Sequence, residues 1–174
     1  MSVEIRFASP DDFLRLSALA RQTFIETFIH GFKIPYDPKE LDDHLNKNCS
    51  PEYFSEATAQ GDSIWVACRN DEIIAYAKTG KLALPVESPI VPSSEIHRVY
   101  VSQKCKGQGV GKLLMEKISD SDLLKGSKAI YLGVWENNFP AQRFYGLYGF
   151  KPVGEYLYYV GKHADRELIL CKIR

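Results

Sequence analysis

The chain has no excess of charge of either sign and no long apolar run. Its 22 basic residues balance 22 acidic ones, so the formal net charge at pH 7 is zero. A broad electrostatic surface for nucleic acid or membrane is therefore not expected. No segment approaches the roughly 18 consecutive apolar residues of a membrane-spanning helix, and the first residues carry charges where a secretory signal is apolar. These absences predict a cytoplasmic protein with a small-molecule or peptide partner and no nucleic-acid or membrane contacts.

Paired cysteines, internal repeats and low-complexity tracts are also missing. The four cysteines at positions 49, 68, 105 and 171 form no CxxC pair, which predicts reduced thiols and neither a disulfide framework nor a zinc site. No linker divides the sequence, and the 174 residues fit one domain of roughly 100–200 residues. We therefore predict a single α+β domain over residues 1–174 and no bound metal.

Hydrophobic spacing and turn residues predict the order of elements. The predicted strands cover residues 3–7, 63–69, 73–82, 95–102, 129–135, 151–160 and 167–173. The predicted helices cover residues 10–28, 39–46, 51–60, 110–125 and 139–148. His163, Asp165 and Arg166 are predicted to form the turn between the last two strands. Helices thus precede the main sheet and alternate with its later strands, as in an α+β domain.

The segment VYVSQKCKGQGVGKLL, residues 99–114, is a short apolar strand that runs through a basic, Gly-rich turn into an amphipathic helix. Glycines allow the backbone to come close to a ligand, and the first N–H groups of a helix have no intrahelical partner. An anion such as a pyrophosphate fits such a turn. The alternative interpretation is a tight loop that closes an ordinary strand–turn–helix unit.

Two segments, EIHRVYVSQKCKGQGVGKLL from residue 95 and YLGVWENNFPAQRFYGLYGFKPVG from residue 131, together resemble the GNAT superfamily of acetyl-CoA-dependent N-acetyltransferases. The phosphate-binding pattern of that family is Gln/Arg-x-x-Gly-x-Gly/Ala, and residues 106–111 match it except at Lys106. The resemblance covers residues 3–173. It implies the GNAT fold, a central, mostly antiparallel mixed sheet of six to seven strands with a splayed strand pair, flanked by about four to five helices.

The resemblance also implies acetyl-CoA as the co-substrate and indicates how it is held. The strand before the turn would pair with the pantetheine arm through Val99, Tyr100 and Val101. The pyrophosphate would lie on the turn and the helix start, at Lys106, Gly107, Gln108, Gly109, Val110, Gly111 and Lys112. Lys106 still has a long side chain with a polar end, but it lacks the planar donor group of Gln or Arg.

The second segment, residues 131–154, implies which residues take part in the acetyl transfer. Asn138 and Tyr145 are seven residues apart and therefore share one helix face. By resemblance, Asn138 contacts the pantetheine, and Tyr145 protonates the departing CoA thiolate. An ordinary tyrosine pKa near 10 suits such a proton donor at neutral pH. The alternatives are a purely structural role for Tyr145 in the core and Tyr148 as the donor.

Acetyl transfer also needs a proton acceptor, because an alkylammonium with a pKa of about 10.4 has no lone pair. Alternation along the strand predicts that Glu95, His97, Val99 and Val101 share one face. Glu95 and His97 are therefore the candidate bases, and His97 stands where polyamine-specific relatives often carry Glu. A hydrogen-bonded histidine and a solvated carboxylate are the alternative interpretations. The backbone N–H of Val99 is a candidate to polarise the thioester carbonyl.

These features predict direct acetyl transfer, in a ternary complex, from acetyl-CoA to a primary amine. The segments TFIETFIHGF and YYVGKHADRELILCKI resemble bacterial PaiA-type enzymes, which suggests a polyamine such as spermidine or spermine. The acceptor site is expected around residues 24–36, 85–94 and 156–163. Two alternatives remain open, acetylation of a protein or peptide N-terminus and a non-catalytic CoA-binding regulatory module. Pairing through an edge strand leaves a homodimer open as well.

Overall fold

A seven-stranded sheet runs through the whole fold. The computed structural model of the protein describes residues 2–174, and Met1 of the predicted domain lies outside the described residues. The strands are β1 Glu4–Phe7, β2 Ser63–Arg69, β3 Glu72–Gly80, β4 Ser93–Val101, β5 Ala129–Trp135, β6 Lys151–Val160 and β7 His163–Ile173. Their order is β1-β2-β3-β4-β5-β7-β6. Only β4 and β5 pair in parallel, so the predicted mixed, mostly antiparallel sheet is confirmed.

Six α-helices flank the sheet, where four to five were predicted. They are α1 Phe13–Phe24, α2 Pro38–Cys49, α3 Pro51–Ala59, α4 Val110–Ser119, α5 Asp122–Lys125 and α6 Phe139–Leu147. The predicted helix over 110–125 is divided because the Ser121 hydroxyl accepts from Leu124 N–H and starts a new helix. After α1 the chain continues as a π-helical segment, Ile25–Gly31. No helix within residues 2–174 is long and apolar enough to cross a membrane.

The turn predicted at His163, Asp165 and Arg166 is wrong. The hairpin turn lies at Gly161 and Lys162, and β7 starts at His163, which pairs with Val160 of β6. Gly161 adopts a positive φ of 58°, the left-handed conformation that a tight hairpin needs. The shift moves Asp165 from the predicted turn into the sheet, where Glu167, the first residue of the predicted last strand, already lay.

The two faces of the sheet are covered by different helices. Alternation along β2 shows this, because Trp65 and Ala67 pack with α4 while Ile64 and Val66 pack with α1 to α3. The second apolar cluster includes the fully buried Phe54 of α3. All four cysteines are buried, unpaired thiols. Helices therefore cover both faces of the sheet, and the middle strands of the sheet form the site.

One extra residue interrupts the pairing of β4 with β3. Thr79 pairs with Ile96, and its neighbour Lys78 pairs with Arg98, so His97 has no partner and forms a β-bulge. A bulge bends its strand and changes the direction of the side chains that follow. The bend occurs at the place where β4 leaves β5.

The bulge overturns the predicted alternation of β4. Val99 and Val101 pack in the cluster beneath α4 together with Ile96, three residues before Val99. Glu95 and His97 contact each other but face a different part of the molecule. The prediction that Glu95, His97, Val99 and Val101 share one face is therefore wrong, because the extra residue shifts the period by one.

The predicted splayed strand pair is β4 and β5. They pair over three residue pairs, of which Glu95 with Tyr131 is the last. Beyond it, β4 keeps its pairing with β3 as far as Val101, but its other edge has no strand partner. The opening between the two strands positions the site.

Candidate active site

An open cleft of about 550 Å³ lies between the free edge of β4, the start of α4 and α6. It collects every predicted cofactor residue except one. The predicted residues in its lining are Val99, Tyr100, Val101, Lys106, Gly107, Gly109, Val110, Gly111, Lys112, Asn138 and Tyr145. Gln108 is the exception. Its side chain accepts from Arg69 at 2.9 Å and donates to the Lys104 carbonyl at 2.8 Å.

The Gly-rich turn offers a run of free donors. From Gly107 to Lys112, no backbone N–H donates a well-formed hydrogen bond to another group in residues 2–174. Gly107 and Gly109 adopt φ angles of 75° and 81°, which side chains disfavour. Lys106 and Lys112 add positive charge to the same wall. Such an arrangement fits a pyrophosphate group.

Asn138 and Tyr145 close the cleft from the side of α6. Asn138 caps this helix, since its side chain accepts from Ala141 N–H at 3.1 Å. Tyr145 is buried, yet its hydroxyl forms no hydrogen bond within residues 2–174. Burial raises the pKa of Tyr145 well above the ordinary value for tyrosine, so the phenol keeps its proton at neutral pH.

A second cavity of about 290 Å³ lies on the other side of Tyr145. The two spaces share a wall formed by Thr27, Val99, Tyr100, Asn138, Ala141 and Tyr145. The remaining wall of the second cavity is aromatic and charged, with Phe24, Phe28, Tyr53, Trp135, Tyr156, Tyr158, Lys78, Glu95, His97, Arg98 and Glu167. A ligand in the cleft and another in the cavity would therefore meet at Tyr145.

The cavity draws on two of the three predicted acceptor regions. Phe24 and Phe28 line it from the first region and Tyr156 from the last, whereas no residue of the loop 85–94 reaches it. That loop is held away because the Tyr131 hydroxyl accepts from the N–H of Ile90 at 3.0 Å. The expected contribution of this loop is therefore not seen in this cavity.

Glu95 is buried and fully engaged. Its Oε2 accepts from the N–H groups of Ala83 and Leu84 at 2.7 and 3.0 Å, and its Oε1 contacts Nδ1 of His97 at 3.0 Å. Burial works to raise the pKa of Glu95, but the bonds from His97 and the two N–H groups outweigh it, and the net pKa is lowered. Glu95 is thus an ionised carboxylate with both oxygens hydrogen-bonded and three of its roughly four lone-pair sites in use.

His97 belongs to the same buried group of charges. With Nδ1–H donating to Glu95, its Nε2 carries the lone pair, but this atom is sealed from water and forms no hydrogen bond within residues 2–174. It lies 3.9 Å from Oδ1 of Asp62, which pairs with Lys78 at 2.6 Å. Gly80 leaves the necessary room, since a Cβ there would lie 2.9 Å from His97 Nε2.

Sequence reasoning missed Glu167 of β7 in the cavity wall. The Tyr156 hydroxyl donates to its Oε2 at 2.5 Å. Burial raises the pKa of Glu167 to about 6, against the hydrogen bond from Tyr156, and repulsion from Asp165 raises it further. The acidic residues 165 and 167, two apart near the C-terminus, were the available signal. Glu167 lay in the predicted strand 167–173, but its neighbours on β5 and β6 could not be predicted from the sequence.

Comparison with known proteins gives consistent matches. The model of the acetyltransferase (GNAT) family matches residues 21–150. The chain is 25% identical over 171 residues to an uncharacterised N-acetyltransferase of Lactobacillus delbrueckii subsp. lactis, which covers 98% of this chain and 96% of the relative. A stretch of 113 residues is 33% identical to protein ElaA of Escherichia coli K12, covering 64% of this chain and 69% of ElaA.

Solved structures share the fold. The PaiA N-acetyltransferase of Thermoplasma acidophilum in complex with coenzyme A superposes with a TM-score of 0.78 at 20% identity, covering 100% of both chains. The putative acetyltransferase yncA of Salmonella typhimurium with acetyl-CoA gives a TM-score of 0.70 at 17% identity, covering 99% of this chain and 94% of the other.

The engagement of Glu95 predicts a stability defect. Replacement Glu95→Gln removes the charge and presents an NH2 group to donors, so the free energy of unfolding at pH 7 should fall by about 1–3 kcal/mol. Because the folded-state pKa of Glu95 is lowered, its contribution is complete above the ordinary carboxyl pKa and is lost as the pH falls below it. Urea titrations at pH 7 and pH 4 measure both effects. Glu87→Gln, an exposed change in the adjoining loop, is the control, and equal stability of the two variants would contradict the prediction.

Proposed function

The chain belongs to the GNAT family of acetyltransferases and is an acetyl-CoA-dependent N-acetyltransferase, and from this premise we propose which residues carry out the transfer and which amine receives the acetyl group. The observation that supports the proposal most directly is the wall shared by the cleft and the cavity. It places Tyr145 where a donor in the cleft and an acceptor in the cavity would meet. Direct transfer in a ternary complex needs such a meeting point.

The cleft is the proposed acetyl-CoA site. The free N–H groups from Gly107 to Lys112, with the charge of Lys106, would hold the pyrophosphate. The unpaired edge of β4 at Val99 to Val101 would pair with the amides of the pantetheine arm, as an added strand would. Asn138, whose Oδ1 is used by the helix cap, keeps its NH2 group for the same arm. Bound acetyl-CoA supplies the activated acetyl thioester.

Tyr145 is the proposed proton donor to the departing thiolate. Its hydroxyl is unpaired within residues 2–174, and its raised pKa keeps it protonated until the sulfur leaves. The N–H of Val99 lies on the free edge of β4 and is the proposed donor to the thioester oxygen as negative charge develops there.

The acceptor is proposed to be a primary amine, with polyamines such as spermidine as the leading candidates. The aromatic rings of the cavity can hold a methylene chain and attract ammonium groups. The half-buried carboxylate of Glu167 adds a negative charge to this wall. The role of Glu95 or His97 as the proton acceptor stays a prediction.

The proposal also includes the cellular compartment and the oligomeric state of the enzyme. Four buried, unpaired thiols fit the reducing cytoplasm. A homodimer formed through an edge strand would use β1 or β6, the two edges of the sheet. Light scattering of the purified protein measures that state.

A panel of amines tests the acceptor class. Purified protein and acetyl-CoA are mixed with spermidine, spermine, single amino acids or a peptide with a free N-terminus, and the free thiol of CoA is measured. We expect thiol release with primary amines, fastest with the polyamines. Transfer to the peptide alone would reject the polyamine proposal and favour N-terminal acetylation. Thiol release that no amine accelerates would reject amine transfer.

Replacement Gly109→Ala should weaken acetyl-CoA binding. The left-handed conformation at Gly109 costs a side chain about 1–2 kcal/mol, and relief of that strain turns the N–H groups away from the phosphates. We expect the KM for acetyl-CoA to rise about tenfold. Gly61→Ala, at a φ of 96° with equally open surroundings outside the cleft, is the matched control. The same KM change in both variants would contradict the role of the turn.

Replacement Tyr145→Phe should lower kcat about 100-fold or more, because general acid catalysis is lost while the ring still packs. CoA affinity, measured by calorimetry, should not change. Tyr148→Phe is the control, since Tyr148 lies at the end of the same helix and was the alternative donor. Full activity of the Tyr145 variant, or a larger loss in the Tyr148 variant, would disprove the assignment.

A further inference from the structure

Both candidates from the sequence, Glu95 and His97, line the cavity, but each is held by other groups of the protein. Both oxygens of Glu95 are engaged by Ala83, Leu84 and His97. The remaining nitrogen of His97, Nε2, is sealed from water and lies toward Asp62. A proton acceptor has to be sought on the opposite side of the opening between β4 and β5.

Glu167 lies on that opposite side. In the sheet it is paired with Trp135 of β5 and with Tyr156 of β6. Space for the two polar side chains comes from Gly133, where a Cβ would lie 2.5 Å from the Tyr156 hydroxyl and 2.9 Å from Glu167 Oε2. The absent side chain therefore lets both groups extend over β5 into the cavity wall.

One oxygen of Glu167 is held and the other is free. Oε2 accepts from the Tyr156 hydroxyl. Oε1 accepts no hydrogen bond within residues 2–174, and it is not among the polar atoms sealed from water. The carboxylate is thus fixed in direction by one oxygen and open to a ligand through the other.

We propose that Glu167 is the catalytic residue that binds the ammonium group of the acceptor and takes its proton. This assignment rests on the proposed acetyl transfer to an amine. Tyr156 then positions the carboxylate of Glu167, and Glu95 and His97 have a structural role in β4. Glu167 and the proposed acid Tyr145 line the same cavity, so one acceptor amine can reach both.

The proton balance of the step is complete. Oε1 of Glu167 takes one proton from the ammonium, and the neutral nitrogen forms its bond to the acetyl carbon as the carbon–sulfur bond breaks. Tyr145 gives its proton to the sulfur and regains one from the new amide nitrogen. The products are the acetylated amine, the CoA thiol and protonated Glu167, which returns its proton to solvent.

The surroundings of Glu167 suit this task. Burial raises its pKa to about 6, the Tyr156 hydrogen bond acts against this, and repulsion from Asp165 adds to it. A base with a pKa near the working pH is efficient. Gly133 and Trp135 of β5 bring no titratable group. The titratable groups that face Glu167 from the other elements are Tyr36, Glu95, Tyr100, Tyr156, Tyr158 and Asp165.

Replacement Glu167→Gln tests the proposal, because a glutamine can still accept from Tyr156. With spermidine as acceptor, the wild-type kcat/KM should fall as the pH drops below about 6, where Glu167 becomes protonated. At pH 7 the kcat/KM of the variant should be about 100-fold or more below that of the wild type. The variant should also lack the fall of kcat/KM at acidic pH, which is called the acidic limb of the pH profile below. Its CoA affinity and thermal midpoint serve as the folding controls and should match the wild type.

Two further variants should move the acidic limb in opposite directions. Tyr156→Phe removes the bond that lowers the pKa of Glu167, so the limb should shift to higher pH. Asp165→Asn removes the repulsion that raises it, so the limb should shift to lower pH. A merely structural role for Tyr156 or Asp165 would change the rate and leave the position of the limb unchanged.

His97→Gln separates the two assignments, because it removes the other candidate base in the cavity wall. We expect the acidic limb to persist in this variant. The proposal is overturned if the limb disappears in His97→Gln, or if Glu167→Gln keeps the wild-type rate and limb. Wild-type protein that acetylates no amine in the panel would overturn the proposed function itself, a different outcome from an active wild type with an unaffected Glu167 variant.

Discussion

The separation of β4 and β5 after three residue pairs is the constraint on which the whole site depends. Unpaired backbone groups in a protein interior are costly, so a strand edge without a partner persists only where water or a ligand can reach it. The bulge at His97 bends β4 at this position, and Glu95 holds the preceding loop, between β3 and β4, in place through the N–H groups of Ala83 and Leu84. The opening is therefore built into the pairing of the strands.

The separation of β4 and β5 also puts two different sets of binding groups on opposite sides of the opening. β4 and α4 provide free N–H groups and positive charge, which suit phosphates and peptide-like amides. β5, β6 and β7 provide aromatic rings and the carboxylate of Glu167, which suit an amine. Tyr145 of α6 lies at the boundary. With the proposed assignments, an anionic donor and a cationic acceptor would bind on opposite sides of Tyr145.

The features that the sequence revealed are local ones. The Gly-rich turn was predictable because positive φ at Gly107 and Gly109 and the free N–H groups depend on a few consecutive residues. The common face of Asn138 and Tyr145 followed from helical spacing. The bulge at His97 was hidden, because an extra residue is defined only against the partner strand β3. Glu167 was hidden for a similar reason, since its surroundings come from strands that are distant in the chain.

Gly133 is a position where stability and function oppose each other. Glycine inside a strand costs roughly 0.5–1 kcal/mol relative to alanine, and β5 lies between β4 and β7 in the interior of the sheet. A valine there would suit a strand better by propensity, yet its side chain would occupy the space where Tyr156 and Glu167 meet. Any optimisation of this sequence for stability alone would tend to fill position 133 and lose the space of the proposed acceptor cavity.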